Sequence, residues 1–167
     1  MIISSGIILT GKAAETIVNG IDNKKDANGY VRSAFKAVCT PEEAPNTPSD
    51  VNGTWVVEGQ SGDDARFVGV IGDDVMPEAN LGAANNLGQR DAVLDWGAPR
   101  TFQVGDTCTI EKEGMISVIA GGAITEGDFL KLGDNGTFVK STTQTNLGRA
   151  YESAVAGERF VAKIWCL

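Results

Sequence analysis

The sequence predicts an all-β fold: a compact β-barrel-like or β-clip domain of short antiparallel strands, with an N-terminal arm and room for one short helix. Three observations carry that expectation. Glycine supplies 21 of 167 residues, nearly twice the usual ~7%, without a collagen-like period, so turns are frequent and the elements between them short. Runs rich in β-branched and aromatic residues, such as Arg66-Phe67-Val68-Gly69-Val70-Ile71, lie between those glycines. In Arg159-Phe160-Val161-Ala162-Lys163-Ile164-Trp165, Phe160, Ala162 and Ile164 alternate with Val161, Lys163 and Trp165, the period of a strand with one face buried.

Residues 1–12 read as an arm or edge strand. Ile2, Ile3, Ile7, Ile8 and Leu9 place five large aliphatics in the first nine residues, and such a patch calls for a cover. These five are candidate interface residues, suited to strand addition onto a neighbouring chain. Residues 13–167 read as a single β domain. Within it, Ala13-Ala14-Glu15-Thr16-Ile17-Val18 predicts one helical turn, and Asn28-Gly29 a chain reversal. Val31 to Cys39 alternates as a half-buried strand. Pro41, Pro45 and Pro48 mark 40–53 as an exposed loop, because each lacks a backbone donor. Trp55-Val56-Val57-Glu58 and Arg66 to Ile71, joined across Gly59–Asp64, predict a hairpin. Residues 73–99 read as an irregular insertion with room for a short helix somewhere within it.

From Thr101 two related units follow. Gly105-Asp106 precedes Thr109-Ile110 with Gly114 nine positions after Gly105; Gly127-Asp128 precedes Lys131-Leu132 with Gly136 at the same offset. Each unit reads as turn, strand, turn, strand, with Asp134-Asn135-Gly136-Thr137 as the second hairpin.

Charge and composition narrow the function. Twenty-two acidic against fourteen basic residues give a net charge of −8, and no stretch concentrates Lys and Arg, which argues against nucleic-acid binding. Histidine is absent. With it go the commonest general base, the commonest transition-metal ligand and the Ser-His and Cys-His nucleophiles, so the chain is expected not to be an enzyme. Cys39, Cys108 and Cys166 are too far apart for a CxxC site and read as buried thiols of a reducing compartment. The apolar start has no basic residue ahead of it and is too short to span a bilayer; neither a signal peptide nor a membrane partner is expected.

Asp63-Asp64 and Asp73-Asp74 could serve acid–base chemistry or hold Ca²⁺, but both pairs sit at turn signals and read as solvated turn carboxylates. The stretch Asp22 to Gly29 fails as a calcium loop, since Lys24 stands where the first Asp belongs. No metal or cofactor is expected. Trp55, Trp96 and Trp165 could stack on a sugar; core or interface is the commoner use of tryptophan, and Trp55 and Trp96 join the candidate interface residues.

The C-terminal half resembles the capsid decoration, or cement, proteins of bacteriophages. The likeness rests on Glu126-Gly127-Asp128-Phe129-Leu130-Lys131-Leu132, Asn135-Gly136-Thr137-Phe138-Val139-Lys140, Leu147-Gly148-Arg149-Ala150 and Val155-Ala156-Gly157-Glu158-Arg159-Phe160-Val161. Ile110 to Gly122 resembles that family's central hairpin. The resemblance implies a structural virion protein made in the host cytoplasm, commonly a homotrimer. It would bind the major capsid protein on the outer capsid surface and stabilise the shell by bridging capsomers, with no catalytic residues. The alternative is a receptor- or glycan-binding β-module on a virion or cell surface.

Overall fold

The computed structural model describes residues 2–5, 8–19, 34–43, 54–71, 100–145 and 147–165. The described chain is all-β. Its strands are β1 (Ile2–Ser5), β2 (Ile8–Ala13), β3 (Ile17–Asn19), β4 (Ala37–Cys39), β5 (Thr54–Glu58), β6 (Phe67–Ile71), β7 (Arg100–Phe102), β8 (Thr107–Glu111), β9 (Glu113–Ile119), β10 (Phe129–Leu132), β11 (Phe138–Lys140), β12 (Gly148–Ala150) and β13 (Arg159–Trp165), with 3-10 turns at Asp64–Arg66 and Asp134–Gly136.

Two layers form. A closed barrel runs β2-β5-β4-β6-β8, and a six-stranded sheet runs β1-β9-β13-β12-β10-β11; β3 and β7 pair separately. All pairs are antiparallel except β2 with β5. One ribbon joins the layers: β1 lies on β9 with Ser5 opposite Gly114, and β2 lies on β8 with Ile8 opposite Glu111. The 1–12 segment therefore divides between the edge of the sheet and the wall of the barrel.

The barrel and the sheet share a wall. Val38, Val68 and Ile71 turn into one core with Val56, Phe102 and Ile110, while their strand neighbours Ala37, Cys39, Phe67 and Val70 join Phe138, Phe160 and Ile164 in the other. Burial on both faces explains why Phe67-Val68-Gly69-Val70-Ile71 reads as an unbroken apolar run. The Phe67 ring meets Phe138 of the sheet edge-on, centroids 5.9 Å apart at 84°, a favoured aromatic arrangement.

One turn recurs. At Gln60–Asp63, Gln103–Asp106, Thr125–Asp128 and Val155–Glu158 the third residue is glycine with φ of 95°, 90°, 92° and 83°. The fourth is an acid that accepts the first residue's N–H, at 3.3, 2.8, 2.9 and 3.3 Å. Three of these turns close on an alanine elsewhere in the chain: Gly105 N–H donates to Ala13 O, Gly127 N–H to Ala150 O and Gly157 N–H to Ala120 O, at 2.8, 2.9 and 2.7 Å. Each alanine's N–H in turn donates to the acid's carbonyl, at 3.0, 2.9 and 2.8 Å. The alanines are buried, and a small side chain lets the turn seat against them.

Three local expectations are corrected. The Trp55–Ile71 hairpin does not form, because β4 pairs with both β5 and β6 and separates them. The central hairpin over 110–122 does not form either: β8 and β9 follow one another along the ribbon, so Gly114 lies within β9. Ala13–Val18 is strand, bend and strand rather than a helical turn, held open by the seating of Gly105 on Ala13. The Asn135-Gly136 hairpin is as expected, with both residues at positive φ, 57° and 70°, as a type I′ turn requires. The region 73–99 lies outside the described residues, as does most of the 40–53 loop.

Candidate functional site

The sequence-predicted interface residues fall in different places. Ile2 and Ile3 lie in β1, at the end of the six-stranded sheet; Ile8 and Leu9 lie in β2, between β5 and β8. Trp55 is half-buried on β5. Ile7 and Trp96 lie outside the described residues, as do Asp73-Asp74 and the stretch from Asp22 to Gly29.

The carboxylates near the turns are structural. Asp63 Oδ1 pairs with Arg66 at 2.5 Å, and that hydrogen bond holds the guanidinium even more firmly protonated than usual. Asp64 accepts the Leu132 N–H at 2.8 Å. Asp128 is held below the ordinary carboxylate value, first by the Lys140 ammonium at 2.9 Å and then by the Thr125 N–H, against the opposing effect of burial. Among the described residues, no group of three or more Cys, Asp or Glu side chains is placed to hold a metal ion. Cys39 and Cys108 are buried and unbridged.

The hairpin tip that a binding loop would use is occupied internally. Gly136 N–H donates to Gly59 O at 2.8 Å, Asn135 N–H to Gln60 Oε1 at 3.0 Å, and Ser61 N–H to Asp134 Oδ1 at 3.2 Å. What remains exposed and apolar among the described residues is Val18, Val104, Tyr151 and Val155. Val104 and Val155 both belong to the glycine–acid turns, so the turns that lock the fold also present side chains outward. A cleft of about 190 Å³ lies between Glu126, Gly127, Arg149, Ala150 and Tyr151. A wider one, about 450 Å³, is lined in part by Lys131, Asn135, Thr137 and Val139.

The outward face of the six-stranded sheet collects cations. Lys131, Arg149 and Lys163 are exposed there, each between buried neighbours on its own strand. The alternation of residues 159–165 marked Lys163 and Trp165 as sharing a face; nothing local marked Arg149, which comes beside Lys163 only through the β12–β13 register. The face carries shallow clefts, fixed turns and half-buried aromatics.

A sequence profile of the family described as phage cement protein matches residues 71–164, more than half of the chain. No curated protein matches it. Among solved structures the chain is similar to the "head fiber gp8.5 N base" of bacteriophage phi29, at 17% identity and a TM-score of 0.48, over 95% of this chain and 92% of that one. A superposition of that size transfers nothing about function.

Proposed function

The chain belongs to the phage cement protein family, a structural protein of the virion capsid, and from that premise we propose that it binds the outer surface of the assembled shell and bridges neighbouring capsomers. The family match carries this reading. The partner is the major capsid protein, and the working form is a homotrimer assembled after synthesis in the host cytoplasm; nothing is catalysed. A ligand that binds the assembled lattice and not free subunits stabilises the lattice, and several modest contacts engaged together give lasting attachment.

Within this reading residues 13–167 act as one unit, and Ile2, Ile3, Ile7, Ile8, Leu9, Trp55 and Trp96 are its contact residues. The first two are best placed: β1 has β9 as its one strand neighbour among the described residues, and its other edge suits strand addition by an adjoining subunit or capsid segment. The test is co-sedimentation with purified expanded capsids, with sedimentation equilibrium for the oligomer. Binding to shells but not to free capsid subunits, together with trimer mass, is expected; no binding to shells overturns the function. Removing residues 1–5 takes away β1 and leaves β2 in the barrel. Unchanged mass and unchanged binding would remove β1 from the contact.

A further inference from the structure

On the outward face of the six-stranded sheet two cations stand directly opposite one another. Arg149 of β12 faces Lys163 of β13, and the same register row continues to Phe129 on one side and Met115 on the other. Both cations are exposed; Phe129, Met115 and Trp165, two positions on from Lys163, are half-buried. Like charges directly opposite on neighbouring strands destabilise a sheet.

Four other cations of the described chain are paired, whereas Lys131, on the same face as Arg149 and Lys163, has no ion pair among the described residues. Lys36 holds Glu58 at 2.6 Å, Arg66 holds Asp63, Lys140 holds Asp128 and Arg159 reaches Glu152 at 3.6 Å. Among the described residues neither Arg149 nor Lys163 has a carboxylate within ion-pair distance. Arg149 is instead fixed in place: its Nε–H donates to Gly127 O at 3.0 Å, and its guanidinium carbon lies 5.7 Å from the Phe129 ring centroid. In a chain with 22 acidic residues and a net charge of −8, this partly immobilised pair is a local concentration of positive charge.

We propose that the Arg149–Lys163 pair, flanked by Phe129, Trp165 and Tyr151, is the docking patch for a carboxylate-bearing segment of the capsid protein. This deepens the capsid-binding reading and rests on it. Four adjacent strands spaced ~4.8 Å apart make the row about 14 Å wide, the scale of one short strand or loop. Tyr151 lines the same small cleft as Arg149, and Arg with aromatic neighbours is the composition of an interface hot spot. An acidic side chain inserted between the two cations removes their repulsion and gains two charge-assisted hydrogen bonds. The packaged genome fits less well, because two cations on an acidic chain make a poor phosphate track.

The experiment compares the intact protein with Lys163→Glu and Lys163→Gln on purified expanded capsids, reading affinity and thermal midpoint. Glu at 163 faces Arg149 and forms an opposite-charge pair, so its thermal midpoint should equal or exceed that of the unaltered protein. Its affinity for capsids should fall on the order of 30-fold or more, with Gln intermediate. Raising salt should weaken the unaltered protein more than the Glu variant. Unaltered binding by both variants overturns the docking patch and leaves capsid binding standing, whereas an unaltered protein that fails to bind capsids overturns both. Displacement from capsids by duplex DNA at equal salt would assign the patch to phosphate and overturn it too.

Discussion

The barrel and the six-stranded sheet share a wall yet handle their edges and charges in different ways. Each barrel strand has two neighbours; beside the barrel the Lys36 ammonium is tied to Glu58 and Asn19 of β3, wholly buried, accepts the Lys36 N–H at 2.8 Å, and among the described residues Asn19 Nδ2 is the one buried side-chain polar atom without a partner. The sheet ends at β1 and β11. The β11 edge is capped, since Phe138 O accepts the Gly121 N–H at 2.8 Å and Lys140 is held by Asp128. The β1 edge carries Ile2, Ile3, Ser4 and Ser5, with none of the charges or prolines that discourage pairing. A closed layer satisfies its own strand edges, while an open one must cap its edges or leave them unpaired. Here the β11 edge is capped and β1 has one strand neighbour among the described residues, with Arg149 and Lys163 opposite one another between them.

The largest expected effects test whether the two layers are one cooperative body. Phe160→Ala empties a fully buried site in the sheet core and should cost about 3–5 kcal/mol; Ile110→Ala does the same in the barrel core for about 2–5 kcal/mol. Because β4 and β6 line both cores, urea unfolding should remain a single transition for each variant. Two separated transitions, with only one moved by each substitution, would break the shared-wall account.

A smaller contrast separates two reasons for glycine. At Gly148 a methyl group would lie 2.6 Å from Lys163 O, a backbone atom that cannot turn away. Gly148→Ala should cost about 1–3 kcal/mol as overpacking. It should also disturb the β12–β13 register that sets Arg149 opposite Lys163. At Gly157 a methyl group meets nothing within 4 Å, but φ is 83°; Gly157→Ala should cost about 1–2 kcal/mol from the backbone alone. Thermal unfolding of the two variants, together with capsid affinity, sharpens the division: only Gly148→Ala should lower both.

How much of this was legible in the sequence follows from how local each signal is. The β13 alternation and the Asn135-Gly136 hairpin announce themselves within seven residues, and both are found where expected. Strands β3, β4, β7 and β12 have three residues each, too few for a period to show. The order β5-β4-β6 was hidden because a strand from earlier in the chain enters between two that look like a hairpin. The repeated lock was half visible: Gly105-Asp106 and Gly127-Asp128 stood out as a pair. Gly157-Glu158 does the same work with a longer acid, and the buried alanines that receive the turns, Ala13, Ala120 and Ala150, carry no chemistry that would single them out. On the sheet's outward face, Lys163 and Trp165 were legible as sharing one side of β13. The opposition of Lys163 to Arg149 was not, since register between strands nine residues apart depends on the intervening Val155–Glu158 turn and its seat on Ala120.

The smallest effect concerns charge on the capped edge. Asp128 holds the Thr125 turn and the Lys140 ammonium together, and its pKa is lowered from the ordinary 3.8. A carboxyl whose folded pKa is depressed contributes stability that is complete above its unfolded value and is lost as pH falls through the lower, folded one. Asp128→Asn keeps the size of the side chain, gives up the charge and weakens the hydrogen bond to Thr125; at neutral pH it should cost about 1 kcal/mol. That difference should stay flat from neutrality down to about pH 5 and shrink below about pH 4, as the unaltered protein takes up the proton the variant cannot bind. Urea midpoints measured across that range decide it. A difference that persists unchanged into acid would mean the turn is held by shape alone, and that the capped β11 edge owes nothing to the Asp128–Lys140 pair.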